Sequence, residues 1–297
     1  MRTLILIAVA LWSLAGRALA HGRTPEQGIS WTFDPWIATP LVVFGAVYLV
    51  GSLVVRSRTK RQGNRHWQTV AYAGGWLTLA ASLLSPLHSL GEQLFTFHMI
   101  EHEIIMAVSA PLLVLANPVG PLLWSLPHGV RRFAGRTMRH DAISIPWRWL
   151  SHGSHATLLH GIAIWAWHAP VLFDAAITDV AIHRLQHLSF FLSAALFWWS
   201  VFRRSETGAA AWHVFITMLH TSVLGALMAL APRVLYGAQT ATSAAWGLTP
   251  LEDQQLAGII MWVPAGTIYA GVTLALTAIW IRQCSERTRH GDAVGAL

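Results

Sequence analysis

Cysteine is almost absent from this chain: Cys284 is the single one in 297 residues. That excludes a disulfide within the chain and any metal site built on two thiolates. Charge is scarce as well. Only 11% of the residues are charged, against about 25% in an ordinary soluble domain, and the mean hydropathy is +0.48. Acids are scarcer than bases, 13 against 20. There is no Walker loop, no dinucleotide fingerprint, no G-x-S-x-G elbow and no low-complexity tract. Nothing in the pattern therefore points to phosphate cradling or to a serine nucleophile.

What the chain has in abundance is apolar runs. Seven stretches, 36–55, 67–86, 94–116, 153–173, 185–202, 211–231 and 256–281, approach or exceed the length that crosses a bilayer, about 20 residues of helix. The fifth is the shortest, and the histidine-rich start at 183 extends its helix to the membrane surface. An eighth run, "LILIAVALWSLAG" after Arg2, is too short to span comfortably. It ends in "ALA" at 18–20 followed by "HG", the layout of a secretory signal, so cleavage after Ala20 is expected, with an uncleaved anchor as the alternative. The expected architecture is all-α: a signal peptide at 1–20, then a seven-helix membrane domain over 21–297, with no boundary for a second domain.

The basic residues orient it. Arg56, Arg58, Lys60, Arg61 and Arg65 follow the first span; Arg131, Arg132, Arg136, Arg139 and Arg148 follow the third; Arg203 and Arg204 follow the fifth; Arg282, Arg287 and Arg289 follow the seventh. The positive-inside rule makes that side cytoplasmic. The mature N-terminus then lies on the periplasmic side of a bacterial inner membrane and the C-terminus in the cytoplasm. The net charge of +7 is thus topological and implies no nucleic acid. Between the third and fourth spans, "NPVGPLLWSLPHGVRRFAGRTMRHDAISIPWRW" reads as a segment lying on the membrane surface.

Sixteen histidines are many for such a chain. His98 and His102, in "HMIEHEIIM", are four apart and share a helix face near the outer side; His183 and His187, in "HRLQH", repeat that arrangement. His168 in "WAWHAP" and His88 belong to the same depth, while His160 and His220 lie deeper. Residues at i,i+4 have Cβ atoms about 6 Å apart, so each pair can grip one ion. Ionisable groups inside a span are costly and usually mark a site. The bland alternative is that these imidazoles merely bond water and lipid. Glu101 is placed to orient an imidazole from behind, whereas Glu103 turns toward a structural ion pair. Imidazoles with optional thioethers suit copper best, then zinc or iron. A b-type haem between facing helices is the other option. At 249–255, "TPLEDQQ" supplies a helix start with proline and acids in its first turn. Asp253 there is a candidate second-layer residue of the same outer cavity. His21, first after the expected cleavage, could chelate copper through its amine and its ring together.

"FHMIEHEIIMAVSAPLLVL", "HRLQHLSFFLSAALFWW" and "PLEDQQLAGIIMWVPAG", in that order, with "WHAPVLFDAAI" between the first two, resemble the CtaG-type cytochrome c oxidase assembly family over about residues 36–281. The resemblance implies a role in maturing haem–copper oxidase, with copper handling a favoured explanation. Carried over, His98, His102, His183, His187 and Asp253 fall in matching blocks. Glu101 and Glu103 stand where that family's block has neutral residues, so the resemblance lends them no role. The implied partners are oxidase subunits, a periplasmic copper carrier and membrane lipid. The implied protein is no enzyme. The rival readings are a haem- or quinone-linked redox protein and a metal-free scaffold.

Overall fold

A computed structural model of the chain describes residues 30–58 and 65–295. Among them it is helical, without strands, and falls into two compact units, one ending at Ser144 and the other beginning at Ile145. The expected signal peptide and His21 lie outside the described residues.

The first unit opens with α1 (Pro35–Arg58). Asp34 starts it: its carboxylate accepts from the Trp36 N–H at 3.0 Å, and Pro35, whose missing N–H costs nothing in a first turn, follows at once. Helices α2 (Arg65–Leu84), α3 (Pro86–Gly91) and α4 (Phe95–Glu103) come next. A π-helical turn, Ile104–Ser109, then leads into α5 (Ala110–Leu115). The sequence suggests one regular helix over 94–116. Pro111 cannot donate to the turn before it, and the Ala110 N–H reaches back to the Ile105 carbonyl, five residues away, so the helix widens by one residue there.

The α1–α2 pair is fastened where a membrane protein must be fastened, at its polar atoms. Tyr48 and Tyr72 stack with centroids 3.4 Å apart. The Tyr72 hydroxyl donates to the Phe44 carbonyl at 3.0 Å and the Trp76 indole to the Leu41 carbonyl at 2.9 Å. With no water available in hydrocarbon, such donors are satisfied within the protein. Gly51 lets α1 touch α6 (Val119–Trp124): a Cβ there would meet the Pro121 carbonyl. The expected surface segment forms three short helices, α6, α7 (His128–Arg139) and α8 (Asp141–Leu150). On α7, Val130, Phe133 and Met138 share one exposed side and Arg132, Arg136 and Arg139 the opposite one, the pattern of a helix lying in a membrane interface.

The second unit contains α9 (Gly153–Trp167), α10 (Pro170–Thr178), α11 (Val180–Arg203), α12 (Thr207–Ala229) and α13 (Pro250–Gly295). The expected fourth span, 153–173, is not one straight helix. It breaks after Trp167, and α10 leaves at 72°, because Pro170 pushes Ala169 out of helical conformation (ψ 126°). The fifth span does extend past its histidines, to Asp179, whose carboxylate accepts from the Ala181 and Ile182 N–H groups at 2.7 and 3.0 Å. Helices α12 and α13 cross in near backbone contact at Gly225 and Gly258. A Cβ on Gly258 would lie 2.6 Å from the Gly225 carbonyl oxygen, an approach only small residues allow.

Among the described residues, five helices are long and apolar enough to cross a membrane: Pro35–Arg58, Phe95–Leu115, Val180–Arg203, Thr207–Ala229 and Pro250–Thr288. The bent pair α9–α10 makes up to six. The remaining expected stretch forms α2, whose 20 residues reach across a bilayer but include Arg65, Gln68 and two adjacent glycines.

Candidate metal centre

In the first unit, His98 and His102 lie one turn apart on α4. Both are buried at 1% exposure, with ring centroids 4.2 Å apart and planes at 71°. Glu101 stands between them in sequence and is fully buried. Its Oε1 lies 2.8 Å from Nδ1 of His88 on α3. The carboxylate therefore bonds an imidazole outside the expected ligand set, that of His88. The close packing of α3 on α4 depends on Gly91. A Cβ there would stand 3.1 Å from Glu101 Oε2 and 3.3 Å from His98 Cα. Glu103, expected in an ion pair, has no hydrogen bond or ion pair among the described residues. It sits immediately before the π-helical turn.

In the second unit, His183 and His187 repeat the arrangement on α11, with ring centroids 4.4 Å apart. Gln186 shares their face, at i+3 from His183, and sequence reasoning passed over it. It is fully buried, and neither its amide nitrogen nor its amide oxygen has a hydrogen-bond partner among the described residues. A buried amide in that state costs free energy unless something outside the chain completes it. The signal was legible: a glutamine inside a span, between two histidines.

His168 caps the end of α9. Its Nδ1 donates to the Ile164 carbonyl at 2.7 Å. A carbonyl only accepts, so the proton is on Nδ1 and Nε2 keeps its lone pair, the tautomer of a ligand. Phe173 and Phe190 flank the ring at 6.1 and 6.0 Å. The Tyr236 hydroxyl donates to the His168 carbonyl at 2.7 Å. Burial, with the Asp174 carboxylate adding to it, pushes the Tyr236 phenol up to about 12, so it remains a donor throughout the physiological range.

The acidic and amide residues in the first turns of α13 hold a loop. Ser243, in a 3₁₀ turn at Ser243–Trp246, donates to the buried Asp253 carboxylate at 2.9 Å. Gln254 accepts from the Leu235 N–H at 2.6 Å and donates to the Arg233 carbonyl at 3.2 Å. Thr249 and Glu252 form a reciprocal cap: the Glu252 carboxylate accepts from the Thr249 N–H at 2.7 Å, and the Thr249 hydroxyl from the Glu252 N–H at 3.3 Å. This motif therefore ties the 231–249 connection to the start of α13.

Among the described residues, each imidazole pair offers nitrogen donors without thiolate or an oxygen-rich cage. That donor set suits copper over calcium or magnesium.

A family profile described as cytochrome c oxidase caa3 assembly factor (Caa3_CtaG) matches residues 46–283, which include His88, His98, His102, His168, His183 and His187 but not His21. Among curated relatives, an uncharacterized protein of Mycobacterium leprae is 26% identical over 90% of this chain. One of Mycobacterium bovis is 27% identical over 89% of it. The chain spans 42% of the length of each of these relatives. No solved structure matches it.

Proposed function

Starting from the fact that this chain belongs to the cytochrome c oxidase caa3 assembly factor family, we propose that it holds or delivers copper for the maturing oxidase at the periplasmic face of the bacterial inner membrane. His98, His102, His183 and His187 are the ligands of this reading, with His168 as a further donor and Glu101 and Asp253 as supporting carboxylates. The protein carries out no turnover chemistry. Cu(I) passes between imidazoles by ligand exchange while apolar helix walls keep water away. Its partners are oxidase subunits and a periplasmic copper carrier. The chain crosses the membrane seven times, with its N-terminus outside. The observation that carries the reading is the two i,i+4 imidazole couples, at 4.2 and 4.4 Å between ring centroids, with His98, His102 and His187 buried and His183 half-buried, inside the region the family profile covers.

Metal analysis of the purified protein tests it. His98→Ala and His187→Ala each lower retained copper, and the double variant loses little more than either single, because groups that act as a unit are not additive. Fully additive losses assign two separate sites. Unchanged copper in both singles favours a metal-free scaffold, and a haem absorbance band favours a redox protein.

A further inference from the structure

Two deeper histidines of the second unit lie outside the ligand set proposed above. His160, on α9, is fully buried and stacks on Phe197 with ring centroids 5.4 Å apart. Its Nδ1 lies 3.0 Å from Ser193 Oγ. Whichever of the two groups donates, that contact engages Nδ1. Nε2 is the nitrogen left to face a ligand, and in the tautomer with the proton on Nδ1 it offers a lone pair. Nε2 is buried and has no hydrogen-bond partner among the described residues.

His220, on α12, packs against Gly161, the residue that follows His160 on α9. Its Nε2 is also buried and without a partner among the described residues. It rests against α9 beside His160, since a Cβ built on Gly161 would lie 3.4 Å from that nitrogen. A groove of about 460 Å³ runs alongside, walled by Leu158, Ile162, Trp165, Trp212 and Ile216, and reaches His220. Residues 153–167, 180–203 and 207–229, which form α9, α11 and α12, include no Asp or Glu.

We propose that His160 Nε2 and His220 Nε2 form an intramembrane station for a soft monovalent cation, Cu(I) or its redox-inert analogue Ag(I), entered from the groove. The absence of acids on these helices selects the charge. A divalent ion would bring two charges into apolar surroundings with no counter-charge, a cost that neutral imidazoles do not offset. Zinc, moreover, asks for four ligands, whereas a monovalent copper ion is content with two nitrogens. The Trp165 indole donates to His220 Nδ1 at 3.4 Å, so without the ion the His220 proton is on Nε2. On binding, the ion takes the Nε2 lone pair and the proton is taken up at Nδ1 of the same ring, at the cost of one long hydrogen bond. No electron moves.

The test counts metal on the purified full-length chain after loading with Ag(I) and washing. Where His98, His102, His183 and His187 are all alanine, silver is still retained. His160→Phe and His220→Phe, which keep the ring shape, each remove it, and Trp165→Phe does not. Zn(II) is not retained by the same fourfold variant. In the wild-type background the same two phenylalanine variants lower the silver count, a readout that does not need the fourfold variant to fold. Silver retention indifferent to both replacements overturns the station, and equal retention of Zn(II) overturns its monovalent character. Failure of the outer site shows differently, as equal silver on wild type and fourfold variant.

Discussion

Replacing Glu101 by alanine tests how the 88–103 region of the first unit is held. The carboxylate is fully buried and bonds His88 Nδ1 at 2.8 Å, and His88 itself is only 5% exposed. Truncation takes the acceptor from a donor too buried to find water, which costs about 1–3 kcal/mol. The buried carbon lost with the side chain adds about 1 kcal/mol. The expected loss is therefore roughly 2–4 kcal/mol, more than tenfold in the folding equilibrium. Glu101→Gln keeps a carbonyl oxygen in the same place and should lose about 1 kcal/mol or less, since a neutral acceptor still receives the bond. Unfolding in mixed detergent micelles, followed by tryptophan fluorescence, gives both numbers. If alanine and glutamine cost the same, the charge matters and the hydrogen bond does not. If neither variant is weaker than wild type, the reasoning about this contact is wrong.

Gln186→Leu should move two quantities in opposite directions. Removing a buried amide without partners raises the stability of the metal-free protein, by up to about 1–3 kcal/mol, while copper retention falls. A leucine variant that keeps its copper would show the amide to be a bystander. For the topology, a reporter fused after Gly63 should read cytoplasmic and one placed within 237–247 should read periplasmic. Both on one side would overturn the span count and, with it, the shared depth of the two histidine pairs.

Most helices were legible because apolar runs of bilayer length have few other uses. So was the start at Thr249-Pro250 with Glu252, where local hydrogen bonds decide the geometry within a few residues. The breaks were harder. Pro170 is visible in sequence, yet the run of apolar residues continues through it, and only the backbone shows that the chain turns by 72° there. The π-helical turn at 104–109 depends on where the Ala110 N–H goes once Pro111 withholds its own, and a hydrophobicity pattern does not register that. At the candidate site, the histidine pairs could be read from spacing, and so could Glu101 beside them. Its partner could not, because His88 is on a separate short helix, 13 residues back along the chain. Asp253 shows a similar limit: the acid stood out, and Ser243, which bonds it, did not.

The buried polar side chains sort by what completes them. Glu101 has His88, Asp253 has Ser243, and Gln254 has the backbone of Arg233 and Leu235. Each of these contacts joins two segments, so removing one should loosen the fold. The amide of Gln186 and the Nε2 atoms of His160 and His220 are as deeply placed and have no such contact among the described residues. In an apolar bundle a nitrogen or amide left that way costs free energy in every molecule. A sequence keeps such groups with least penalty where a ligand completes them for part of the working cycle. Nitrogen donors with almost no sulfur and, along α9, α11 and α12, no acid limit that ligand to something that neither needs thiolate nor brings more than one positive charge. Cuprous copper meets both conditions, and it is also the cargo that an oxidase assembly factor of the kind proposed here would have to handle.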